Sequence, residues 1–123
     1  MASAENAATA VEPAGNTDLN DREVRALTEV MTALDEIGDV RGADDMYLVV
    51  SHSGKEYTVD GRSGACTCPD AEYNLGPDEL CKHAERVAFA TGEKPIPAWV
   101  DPADVDEQLG DHVDGHPRFG GAQ

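Results

Sequence analysis

The sequence predicts a small α+β fold: a ββα module, made of a β-hairpin and the helix after it, behind an N-terminal amphipathic helix, with loose termini. Three observations carry this. Apolar residues recur at three- and four-residue steps between positions 18 and 38. Two β-type runs, 46–51 and 56–60, flank a Ser-Gly turn. All three cysteines and one histidine fall between Cys66 and His83.

Residues 1–17 are rich in Ala, Asn and Thr, lack periodicity, and read as a disordered arm. A helix is predicted over 18–38. Asp18 or Asn20 can cap it, and Asp21 and Glu23 sit where the helix dipole favours acids. Val24, Leu27, Val30, Met31, Leu34 and Ile37 fall on one face, and Gly38 ends the run. Such a stripe serves either the core or a partner helix, including a second copy in a homodimer.

Met46 to Ser51 has β-type composition. Ser53-Gly54 turns the chain, and Glu56 to Asp60 then alternates, with Tyr57 and Val59 on one side. Gly61 and Gly64 interrupt it. A second helix is predicted from Pro77, at a first-turn position where its missing N–H costs nothing, to about Ala90, with Gly92 as the stop. Leu80, Ala84, Val87 and Ala88 line one face. Residues 92–100 are proline-rich and read as an extended strap, with Trp99, the single tryptophan, packed back on the hairpin or helix. Residues 101–123 read as an acidic, loose tail.

Composition narrows the function. The chain has 123 residues, 25 acidic and 9 basic, for a net charge of −16. Aromatics are 5%, so the core is thin, and domains this small often need a metal, a disulfide or a partner. No apolar run is long enough to span a bilayer. The first fifteen residues lack the basic and apolar regions of a signal peptide, so a cytoplasmic protein is expected. The acids are spread along the chain and the only lysines are Lys55, Lys82 and Lys94. This balance resembles proteins of salt-in halophilic archaea, where the Debye length shrinks to roughly 3 Å or less and net charge says little about partners. Residues 51–95 are the exception. They hold five basic against eight acidic side chains, a net of −3, which leaves −13 on the rest.

The chemistry lies in that segment. Cys66-Thr67-Cys68, twelve residues, and Cys81-Lys82-His83 supply two close pairs of soft or borderline donors, as tetrahedral zinc requires. Side chains two apart in a strand point the same way, so the Cys-x-Cys pair suits a strand end or a tight knuckle. Residues two apart do not share a face of a regular helix, so Cys81 belongs at a helix start and His83 in its first turn or two. A helix N-terminus helps hold Cys81 as thiolate, and Lys82 or Arg86 can offset the site's charge. Four protein donors leave no open position, which marks a structural ion and makes the fold zinc-stapled. A zinc hydrolase would need an open site and a base, and no HExxH pattern is present. His52, His112 and His116 read as solvated residues, with His116 a stray metal ligand at most.

Tyr57-Thr58-Val59, Ala65-Cys66-Thr67-Cys68-Pro69-Asp70 and Cys81-Lys82-His83 together resemble the SWIM zinc finger, over about residues 46–91. The resemblance implies Cys66, Cys68, Cys81 and His83 as zinc ligands, a hairpin leading into the first pair, a helix carrying the second, and binding to DNA or proteins beside larger catalytic domains.

Three roles follow as expectations. The first is a non-enzymatic nucleic-acid-binding or regulatory adaptor, contacting phosphate through Lys55, Arg62, Lys82 and Arg86. The second is a protein-interaction subunit docking through the N-terminal helix or the zinc module. The third and weakest is a thiol redox sensor.

Overall fold

The computed structural model describes residues 19–119 apart from Pro77. The predicted arm, the Asp18 cap, the Pro77 helix start and the last four residues lie outside the described residues. The fold is α+β, as the sequence predicts, with a three-stranded antiparallel sheet and helices packed on it.

The first helix, α1, covers only Asp21–Thr28. Asn20 caps it in a reciprocal box: its side chain accepts from the Glu23 N–H at 2.8 Å, and Glu23 Oε1 accepts from the Asn20 N–H at 2.8 Å. The helix predicted over 18–38 therefore stops ten residues early. Glu29 is already extended, and Met31–Leu34 forms strand β1. The apolar positions of this stretch satisfy two periods at once. Met31 and Ala33 alternate inward, while Val30 and Ile37, which the helical reading placed on the same face as Leu27, are exposed. Pairing decides between the periods, because a two-stranded hairpin is marginal and a third strand completes the sheet. Of the six stripe positions, Leu27 and Met31 are buried within the chain, while Val24, Val30 and Ile37 are exposed.

Strands β2, Met46–Ser51, and β3, Glu56–Asp60, form the predicted hairpin. Gly54 at its tip has φ +89°, which favours glycine. The sheet order is β1-β2-β3, with Ala33 opposite Val49 and Val49 opposite Tyr57. Met31, Ala33, Val49 and Val59 consequently face one side. They pack there with Cys68, Cys81, Ala84 and Val87.

After β3, a single turn of helix, α2, spans Pro69–Tyr73. The main helix, α3, spans Lys82–Thr91 and ends at Gly92, a left-handed cap with φ +83°. It starts five residues later than the predicted Pro77 start, because the Cys81 side chain occupies the cap position. The sheet lies on one side of α3. On the other, Ala26, Leu27, Phe89, Ala90, Ile96 and Leu109 form a second apolar cluster. Helix α3 is thus buried nearly all round.

The segment read as a loose acidic tail is ordered onto this core. Pro102–Asp104 makes a 3₁₀ turn, Leu109 is buried, and the Asp106 N–H donates to the Leu27 carbonyl at 2.8 Å. The Ile96 N–H donates to the Arg118 carbonyl at 2.8 Å, tying strap to tail. Trp99 is 58% exposed and lies beside α1. Among the described residues, no helix is long and apolar enough to cross a membrane.

Candidate metal centre

Local structure places each donor. The Asp60 N–H donates to the Ala65 carbonyl at 2.9 Å, and Val59 bridges Cys66, so the chain turns back along the edge of β3. The Thr67 N–H donates to the Thr58 carbonyl at 3.2 Å, and the Thr58 N–H returns to Thr67 Oγ1 at 3.0 Å. This extended knuckle delivers Cys66 and Cys68 together. Cys68 is the N-cap of α2 and Cys81 the N-cap of α3. Their sulfurs accept the N–H groups of Ala71 and Ala84, each at 3.4 Å.

The three sulfurs and a His83 ring nitrogen all lie within 4.8 Å of one another. His83 Nδ1 is 3.9 Å from both Cys66 Sγ and Cys81 Sγ. A tetrahedron with Zn–S of about 2.3 Å and Zn–N of about 2.0–2.1 Å has edges of about 3.5–3.8 Å, so the quartet fits the ion with little movement. No disulfide joins the cysteines. Cys68 and Cys81 are buried and His83 nearly so, while Cys66 retains some solvent access. The donors are part of the core, in contact with the sheet face and α3.

The protonation pattern follows from crowding. The hydrogen bond from Cys66 draws the Cys81 thiol down to about 4, aided by His83 and by the Ala84 amide. Cys66 is pushed up by its bond to Cys81 and by burial. Burial pushes Cys68 up. Without a cation, three thiolates cannot share this space. With a dication, the three thiolates and a neutral imidazole sum to −1.

One contributor is illegible in the ligand spacing. Tyr57 on β3 stacks on the His83 ring, with centroids 4.4 Å apart and planes tilted by 31°. Its inward position follows from alternation along β3, but its partner does not.

The four basic side chains assigned to partner contact part company. Lys55 is exposed by the hairpin turn. Arg62 is exposed and faces Asp45 and Asp60 at 3.7 and 3.9 Å. Lys82 donates to Glu29 Oε1 at 2.6 Å. Arg86 corrects the prediction outright: it is 0% exposed and cannot meet phosphate. Its guanidinium donates to the carbonyls of Ala26, Glu29 and Met31 at 3.0, 3.0 and 2.7 Å and pairs with Asp106. Neither Lys82 nor Arg86 is therefore spent on offsetting the site's charge.

The chain matches no family model, no curated protein and no solved structure.

Proposed function

We infer that this chain is a non-enzymatic zinc-binding module in which the ion is structural and whose output is docking to another protein. The observation that carries it is the quartet of Cys66, Cys68, Cys81 and His83, the last three buried, with all four donors within 4.8 Å. When bound, zinc would supply four strong cross-links between the knuckle, α2 and α3 in a chain whose apolar core is small. Four protein donors leave no position for substrate. The Cys-x-Cys and Cys-x-His order resembles the SWIM finger, which implies DNA or protein as the target. Protein is favoured because Arg86 is buried and both Arg62 and Lys82 face carboxylates. Nucleic-acid binding, the other reading, rests on that resemblance and on the less acidic charge of residues 51–95.

The test is native mass spectrometry with circular dichroism on the purified chain. One zinc per chain is expected, with loss of tertiary structure under a strong chelator and no metal uptake by Cys81→Ser. A metal-free chain that stays fully folded overturns the reading. Tight DNA or RNA binding at low salt that Arg62→Glu plus Lys82→Glu abolishes would restore the nucleic-acid role.

A further inference from the structure

Between α1 and the strap lies an apolar groove of about 240 Å³. Val24 and Leu27 form one wall, and Trp99, Val100 and Val105 the other. Val24 is 43% exposed and Trp99 58%, so the walls present apolar surface to solvent. Among the described residues, the charged ones in the lining are Asp101 and Asp104, and no lysine or arginine contributes to it.

We propose that this groove is the docking site for a protein segment carrying one or two large apolar side chains flanked by lysine or arginine. The inference rests on the protein-docking reading above and names its surface and partner chemistry. The volume accommodates a side chain or two and falls below the roughly 300 Å³ at which small-molecule pockets begin. Exposed tryptophan beside aliphatic walls is the composition of a binding hot spot. The charge selects among occupants. An apolar floor with two carboxylates favours cationic flanks, which steer encounter and fix register. A second copy of the chain brings its own net charge of −16 to the same acidic edge, and nucleic acid brings phosphates. The groove is distinct from the metal centre: its lining contains none of the four donors.

The test uses the zinc-loaded full chain and two dye-labelled peptides of about fourteen residues, free of tryptophan. They share Leu and Phe positions and differ only in Lys against Glu at the flanks. Fluorescence anisotropy should show the Lys peptide binding at least tenfold tighter, with a change in Trp99 emission. Val24→Lys and Asp104→Lys should each weaken it at least tenfold while zinc content and circular dichroism hold. Leu27 is unsuitable for substitution because it is buried. Equal binding of the two peptides overturns the proposal, as does full binding by both variants. A concentration-dependent dimer in sedimentation, broken by Val24→Lys, would assign the groove to a second copy instead. Zinc content and chelator response are read on the same sample. If they hold while the peptides fail, only the groove assignment falls; if they fail, the metal-module reading falls and takes this surface with it.

Discussion

Arg86 in the middle of α3 and Asp106 in the segment after the strap form a buried ion pair, with Arg86 fully enclosed and the Asp106 side chain 6% exposed. Arg86 also holds the Ala26 carbonyl in the last turn of α1, the carbonyl of the cap residue Glu29, and the first carbonyl of β1, at Met31. Asp106 closes the other side: its backbone N–H reaches the Leu27 carbonyl, and its carboxylate accepts from the Met31 N–H at 3.4 Å. One side chain therefore terminates a helix, starts a strand and anchors a distant loop. Removing either partner leaves an uncompensated buried charge.

Arg86→Met should destabilise the metal-bound chain by about 3–5 kcal/mol, as breaking a buried pair does. Asp106→Leu should cost a similar amount. The double variant should lose clearly less than the sum, because neither charge is then stranded. Urea titrations of the four proteins, at saturating zinc, measure the coupling.

The Tyr57 ring should act on the metal through His83. Tyr57→Ala removes the stacked face and should weaken zinc affinity by roughly tenfold, in line with losses of ligand-orienting neighbours. Tyr57→Phe keeps the ring and should keep the affinity. Competition with a chromogenic chelator separates the two.

Gly92→Ala should be costly for two reasons. The left-handed backbone alone disfavours a side chain by about 1–2 kcal/mol. An added Cβ would also sit 2.6 Å from the His116 carbonyl oxygen, so the tail must shift. Thermal unfolding should show a lowered midpoint. Hydrogen exchange should rise first at Ile96, whose amide is held by the Arg118 carbonyl.

Stability should fall on the alkaline side. Burial opposes the Lys94 charge, but its bonds to Glu85 and Glu23 outweigh that and raise its pKa. Burial raises the Tyr47 phenol as well. Both groups hold protons in the folded state that the unfolded chain releases near pH 10. Their stabilisation is complete below that point and is lost as pH rises through the folded values. Lys94→Gln and Tyr47→Phe should each flatten the decline between about pH 9 and 11 in denaturant midpoints, relative to the parent.

What was legible followed from short-range pattern. Alternation over Glu56–Asp60 placed Tyr57 and Val59 inward, and the spacing of Cys66, Cys68, Cys81 and His83 announced a tetrahedral donor set. Cys81 stands at the start of α3, where the two-residue gap to His83 required it. The third strand was hidden because Met31 satisfies both the helical stripe and the strand alternation; only the pairing partner distinguishes them. Arg86 reads as a surface residue in the sequence because an arginine on a helix is seldom enclosed. Its partner stood twenty residues on, in a stretch whose acidity resembled a solvated tail. Long-range electrostatic pairing leaves no mark on local periodicity.

The Arg86–Asp106 pair also sets an order on assembly. During synthesis the last metal donor, His83, emerges well before residue 106. A nascent chain can gather its four donors while Arg86 still lacks its carboxylate. Closure of the inner charge, and with it the seam between α1 and α3, needs residue 106. A fragment ending near Val100 would keep the four donors but leave Arg86 without its Asp106 carboxylate. The packed core therefore extends past residues 46–91, to acidic residues that composition alone would discard.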